Sequence, residues 1–217
     1  MVLGDVTRPE TLGAAVDGAD AIVFTLGADG QGRAGAEQVS YGGVRNVLSA
    51  LGSRRARIAL MTAIGVTERL SRYNRSTEAH DWKRRSERLL RASGLPYTIV
   101  RPGWFDANAP DQHRIVMLQG DRRHAGDPSD GVIARRQIAQ VLVRSLSSAQ
   151  PLRKTFELVA EAGADTEDLD ALFASLEPDP QGGLDGVRDL PNMSIAQEPQ
   201  MIRDDLGNQA AQGAAAI

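Results

Sequence analysis

The alternation of short apolar runs with amphipathic stretches predicts an α/β fold, in which a parallel sheet is covered on both faces by helices. Two further observations support it. Residues 81–105 read as a helix, a two-residue turn, a buried strand and a Pro-Gly loop in direct succession. A chain of 217 residues with 41% hydrophobic content can also bury one sizeable core, which favours one domain plus a tail over two full domains.

From the start of the chain, residues 2–6 read as the tail of a strand. Thr7 stands as an N-cap, with Pro9 in the first turn and Glu10 at the capping-box position, so a short helix to about residue 17 follows. Residues 20–26 give the next strand, 37–51 the next helix, 57–61 the next strand and 63–76 a long loop. The helix from about residue 78 places Trp82, Ser86, Leu89, Leu90 and Ala92 on one face. Lys83, Arg84, Arg85, Glu87, Arg88 and Arg91 occupy the rest. Gly94, just past the last turn, can take the left-handed conformation that closes the free carbonyls, and Pro96 forbids resumption. Residues 97–100 are aromatic and β-branched, as suits a buried parallel strand, and Arg101, Pro102 and Gly103 stop it. In open α/β sheets, ligands sit at such carboxyl-end loops.

From about residue 106 the pattern changes to a small substrate-side region. It has a strand over 114–119, a brief pairing at Val132 and Ile133, a helix over 137–146 and a last strand over 155–160. Leu169, Leu172, Phe173 and Leu176 recur at three and four residues, predicting one more amphipathic helix within 166–176. After it, proline, glycine, glutamine and acidic residues dominate. The expected division is a domain over 1–176 and an acidic, flexible tail over 177–217 without a core of its own.

The absence of cysteine excludes disulfides, thiolate metal sites and cysteine nucleophiles, and fits a reducing cytoplasm. The longest apolar runs, 19–26 and 58–66, fall short of the roughly 20 residues a membrane-spanning helix needs. No basic n-region with a following apolar stretch opens the chain, so a cytoplasmic protein with no membrane partner is expected. Net charge is −3, yet 12 acidic and 2 basic residues follow Ala160, leaving +7 on the first 160. The few aromatics are scattered rather than interleaved with that basic charge, so no nucleic-acid partner is expected. His113 and His124 lack acidic or histidine partners at metal-like spacing, and no metal site is predicted.

The stretches VLGDVTRPETLGAAVDGADAIVFTLG, ALMTAIGV, WKRRSERLLRASGLPYTIVRPGWF, VIARRQIAQVLVRSL and TFELV resemble the atypical short-chain dehydrogenase/reductase superfamily, in its NmrA-like, NAD(P)H-binding branch. Together they cover most of residues 2–160, and RASGLPYTIVRPG is the most specific of them. The resemblance implies a three-layer, Rossmann-like doubly wound parallel sheet, with NAD or NADP as cofactor. Such proteins begin with a strand and a glycine-rich turn that seats the pyrophosphate at a helix N-terminus. Here the chain starts at what resembles the third strand, so the sheet is expected to be N-terminally incomplete. A start site assigned too far downstream, or a cloning boundary, would account for that. Gly27, Gly30, Gly32 and Gly35 follow a later strand and read as the loop beside the adenosine. The third strand of this fold pairs only with the second, so residues 2–6 should be frayed, re-paired or completed by another chain. An exposed sheet edge of this kind also makes a homo-oligomer plausible. Because the second strand is lacking, the residues that choose between NAD and NADP cannot be read.

The resemblance assigns roles to particular residues. Thr62 matches the hydroxyl that hydrogen-bonds a substrate carbonyl or hydroxyl, although a strand-end threonine also satisfies backbone groups. Lys83 matches the lysine of a Tyr-x-x-x-Lys pair, which binds the nicotinamide ribose, but Ala79 stands at the tyrosine position. Tyr73 and His80 are the groups that could supply a proton instead, and the bland alternative for Lys83 is a surface lysine on a basic helix. Asp5 and the Val6 backbone match an adenine contact, or simply form a turn. Thr25, Leu26 and Gly27 resemble the loop lining the adenine ribose, and Arg101, Pro102 and Gly103 the loop beneath the nicotinamide. Trp104 and Phe105 could line a substrate pocket or pack in the core. Arg122, Arg123 and His124 could contact an anionic substrate or a 2′-phosphate, or form a solvated face.

The leading functional expectation is an NAD(P)-dependent oxidoreductase of a small molecule. The alternatives are a non-catalytic NAD(P)-sensing NmrA-like regulator, favoured by Ala79, and a truncated form unable to hold the dinucleotide.

Overall fold

The computed structural model describes residues 1–28 and 30–215. Residues 1–5 form no strand, and Val2 and Leu3 are exposed. Asp5 instead closes a turn: its Oδ1 accepts the Thr7 N–H and hydroxyl at 2.8 and 2.7 Å, and its carbonyl accepts the Arg8 N–H. Thr7 therefore spends its hydroxyl on Asp5 rather than capping a helix. A 3₁₀ turn over Pro9–Thr11 leads into α1 (Gly13–Val16), so the expected short helix is present but split.

The strand β1 (Ala21–Phe24) follows, then α2 (Gly32–Gly35) and α3 (Gly42–Leu51), joined through a π-helical stretch over Ala36–Tyr41 into one continuous helical run. After β2 (Arg57–Met61) the expected long loop contains α4 (Arg72–Thr77), capped by Ser71, whose hydroxyl accepts the Asn74 N–H. The helix α5 (Ala79–Ala92) runs into β3 (Tyr97–Pro102) and β4 (Trp104–Phe105). Gly94 at its end has φ +67, the left-handed conformation expected there. Then come β5 (Arg114–Leu118), β6 (Val132–Ile133), α6 (Arg135–Ser147), β7 (Lys154–Glu161), α7 (Leu169–Ser175) and α8 (Gln200–Ala215). Among the described residues no helix is long and apolar enough to cross a membrane.

One sheet holds all seven strands. Its order is β1-β2-β3-β7-β6-β4, with β5 antiparallel to β7, and β1, β2, β3 and β7 run parallel. Period-two alternation sends Ile58, Leu60 and Ile99 to one face, where α3, α5 and α8 cover them. Ala59 and Val100 point to the other, against Ile138, Val141 and Leu142 of α6 and Phe173 of α7. This is the Rossmann-like doubly wound arrangement in three layers. Where β3 ends, the chain passes tightly against Gly131: a Cβ on Gly103 would lie 2.4 Å from the Gly131 carbonyl oxygen.

The largest difference from the sequence reading lies at the C-terminal end. Residues 177–215 are not a free tail but a strap packed on α5. Met193, Ile202 and Leu206 are buried, the last two within the core shared with α3 and α5. The part of α5 outside its apolar face carries Arg84, Arg85, Arg88 and Arg91, and the strap supplies acidic partners for them. Asp185 pairs with Arg84 and Arg88 at 3.0 and 2.8 Å, Glu198 with Arg85 at 2.8 Å, and Asp179 with Arg91 at 3.2 Å. The charge asymmetry along the chain thus closes on itself. Strap and helix partners lie roughly 90 to 110 positions apart, beyond the reach of any local pattern.

Candidate functional site

Because β1, β2 and β3 are parallel neighbours, residues 25–27, 62–65 and 103 emerge side by side at one end of the sheet. Thr25 and Gly27 are exposed, and a Cβ on Gly27 would meet nothing within 4 Å, so this loop presents open backbone. Leu26 turns inward. It and Val6 touch α3 so closely that a Cβ on Gly43 would lie 2.7 and 3.2 Å from them. The Val6 carbonyl accepts the Asn46 side-chain amide at 2.8 Å, which holds residues 5–6 near this end without a strand.

Thr62 is 2% exposed, and its hydroxyl donates to Glu87 Oε1 at 2.7 Å. That commits the group expected to meet a substrate to a buried ionic cluster instead. Arg101 is the centre of the cluster and is fully buried. It donates to Glu87 at 3.0 and 2.6 Å, to both Asp189 oxygens at 2.7 Å and to Glu157 at 3.4 Å. Pro102 and Gly103 are likewise used by the sheet: the Pro102 carbonyl accepts the Ile64 N–H, and the Gly103 N–H donates to Leu158. Arg101 to Gly103 therefore build the floor under the site rather than an open ligand loop.

Three other expected residues do come together. The Tyr73 and His80 rings meet edge to face with centroids 5.3 Å apart, and His80 packs against Gly65, whose φ is +79. Burial, and then the nearby Lys83 charge, pull the His80 imidazole below its usual range, so it is neutral at neutral pH. Its Nδ1 is buried without a hydrogen-bond partner among the described residues. Tyr73 is 50% exposed, and α4 holds it at the mouth of this group.

Sequence reasoning missed the carboxylates that organise this end. Asp121 is buried and accepts the Gly65 and Thr67 N–H groups at 2.6 and 2.7 Å, which fixes the loop after β2. Burial alone pushes its carboxyl up, but His124, the Arg101 charge and those N–H groups outweigh it and hold it at about 2. Burial pushes Glu157 up to about 8 against the opposing pull of Arg101, so it is largely protonated at neutral pH. One signal was legible: an arginine directly after an apolar, buried run needs acidic partners if it is buried too, and Glu87 sits one turn past Lys83 on the neighbouring helix.

Ile64 also lines a cleft of about 430 Å³ with Met117, Leu118, Gln119 and Leu176. Its polar wall is Arg122, Arg123, Glu157, Ser175, Glu177 and Arg188. Trp104 and Phe105 are 43% and 40% exposed and do not line it.

Residues 1–149 match a protein family described as NAD(P)H-binding. Sanguinarine reductase of Eschscholzia californica is 33% identical over 98 residues, which cover 44% of this chain and 35% of that protein. An uncharacterized chloroplastic protein of Arabidopsis thaliana is 27% identical over 198 residues, 80% of this chain and 60% of that protein. The chain thus spans about a third to three-fifths of the length of these two relatives. Among solved structures, a Bacillus halodurans protein of the NAD-dependent epimerase/dehydratase type superposes with TM-score 0.61 at 20% identity, covering 74% of this chain and 72% of that one. A short-chain dehydrogenase/reductase from Veillonella parvula, in complex with NADP, gives 0.52 at 20% identity, covering 72% and 70%. These likenesses share the doubly wound fold described above.

Proposed function

Since the chain belongs to the NAD(P)H-binding family, with NAD or NADP as its cofactor class, we propose that it is a dinucleotide-dependent oxidoreductase of a small molecule, with Tyr73 as its proton donor. The observation that carries this reading is the gathering of Tyr73, Lys83 and His80 at the carboxyl end of β2, beside the open loop at 25–27. In open α/β sheets, ligands bind at such strand ends.

The fit to a dinucleotide is good on the outer side. The exposed backbone at 25–27 and the half-buried Lys83 are the groups that would hold it. Bound there, it supplies hydride transfer, which no side chain can provide. The chain's own contribution is the proton and its placement. Tyr73 offers a half-exposed phenol, and neutral His80 fixes the ring through their edge contact, acting as a positioning residue. A neutral imidazole adds no positive charge beside the phenol. Asp121 keeps residues 65–67 in place over this group.

Turnover of a reactive carbonyl or quinone with NADH or NADPH tests the reading. A Tyr73→Phe variant should lose about 10²-fold or more in kcat with an unchanged dinucleotide Kd, as removal of a general acid does. Wild-type kcat in that variant excludes Tyr73 as the donor. A second reading, a non-catalytic dinucleotide sensor, is favoured by the commitment of Thr62 to Glu87 and by Ala79 in the helix. Saturable binding with no turnover of any acceptor selects it.

A further inference from the structure

We propose that the cleft between β5, β7 and the C-terminal strap binds a small organic carboxylate with an apolar body, and that Arg122 is its anion contact. The proposal names the substrate class for the oxidoreductase reading and rests on that reading only for the word substrate; the binding itself stands alone.

The cleft has the properties of a ligand site. Its volume, about 430 Å³, lies within the roughly 300–1,000 Å³ typical of small-molecule pockets. Ile64, Met117 and Leu176 give it an apolar surface, and Ile64 directly precedes Gly65, which packs on His80, so one loop joins the cleft to the proposed reaction centre.

The charges on its wall choose the ligand. Three arginines face it, and two are already engaged. Arg188 forms an ion pair with Glu177, and Arg123 donates to the Asp130 carbonyl at 3.2 Å with Glu161 4.0 Å away. Arg122 is exposed and has no hydrogen-bond or ion-pair partner among the described residues. Glu157 at the base adds little negative charge at neutral pH, because burial raises its carboxyl. One unengaged guanidinium matches one monoanionic carboxylate, with bidentate geometry available to the pair. A dianionic phosphate suits the cleft less well, since Glu177 stands on the rim and a single guanidinium is unengaged. The strap contributes Glu177 and Arg188, so this selectivity is a property of the chain's own C-terminal segment. An arriving carboxylate also competes with Glu177 for Arg188.

Calorimetric titration of the full chain without dinucleotide tests this, using phenylacetate and hexanoate, their neutral amides and inorganic phosphate. Both acids should bind measurably and their amides about tenfold or more weakly. Arg122→Gln should weaken the acids about tenfold, and Glu177→Gln should tighten them by freeing Arg188. Both positions are exposed, and circular dichroism confirms that each variant is folded. Equal binding of acid and amide, tighter binding of inorganic phosphate, no response to Arg122→Gln or no binding of any probe each overturns the proposal. Failure of the dinucleotide to bind the same preparation would count against the oxidoreductase reading alone, since no probe here requires it.

Discussion

Replacing Asp189 with alanine removes one of the two bidentate partners of a fully buried arginine. Asp189 is itself 1% exposed at its side chain, holds both terminal nitrogens of Arg101 at 2.7 Å and accepts the Gly186 N–H at 2.9 Å. Deleting one member of a buried pair costs about 3–5 kcal/mol, because the remaining charge stays desolvated. Two features place the value near the lower end. Glu87 still grips Arg101, and the Asp189 charge is one of the groups keeping Glu157 protonated, so its loss lets Glu157 ionise and take up part of the role. At pH 7 the expected loss is about 3 kcal/mol, or roughly 6–12 °C in Tm for a chain of this length. The pH dependence follows from the sign of the Glu157 shift. Its folded value, about 8, lies above its ordinary 4.5, so the folded wild type retains a proton that the unfolded chain releases, and stability falls as pH rises from 4.5 towards 8. In Asp189→Ala that fall is shallower, so the deficit should shrink between pH 5 and pH 8. Thermal and urea denaturation followed by circular dichroism at both pH values measures it. A Tm within about 2 °C of wild type at pH 5 would show that the strap does not hold Arg101 in the way described.

Gly103→Ala should destabilise by about 1–3 kcal/mol, because its Cβ meets backbone that cannot yield, whereas Gly27→Ala faces open space and should stay within about 0.5 kcal/mol; paired melts of the two read this out. His124 lies 3.8 Å from Asp121 and 3.4 Å from Glu68, and the nearby Asp121 raises it above its ordinary 6.5. Its ionic contribution is therefore complete below pH 6.5 and lost as pH rises through the folded value, so His124→Gln should cost stability at pH 5.5 and leave it little changed at pH 8.5 in urea titrations. Removing residues 177–217 leaves Arg84, Arg85 and Arg88 of α5 without ion-pair partners and Arg91 with Glu87 alone, and the shortened chain should fail to give a cooperative melt.

Much of the framework was legible because it is written in local patterns. The apolar run at 58–61, the aromatic and β-branched run at 97–100, the Gly94 stop and the amphipathic spacing over 169–176 each fall on the element they predict. The strand at 2–6 had no neighbour to pair with, and the chain there forms turns instead. The strap was not legible, since its acidic residues read as disorder until their arginine partners are brought to them by the fold. The same limit applies to the site. Lys83, His80 and Tyr73 sit within ten positions and the fold brings them near one another, but Thr62 and Arg101 were read as ligand contacts when Glu87, Glu157 and Asp189 occupy them. Identity of residue type at a motif position fixes neither the rotamer nor the partner.

Titration of the full chain with NADH and NADPH, followed by the quenching of Trp82 and Trp104 and by nicotinamide fluorescence, bears most directly on the central claim that the carboxyl ends of β1 to β3 form a dinucleotide site. The expected result is saturable binding of at least one of the two, weakened about tenfold by Lys83→Ala and unaffected by Arg122→Gln. Absence of saturable binding by either nucleotide, or full affinity in a folded Lys83→Ala variant, would contradict it.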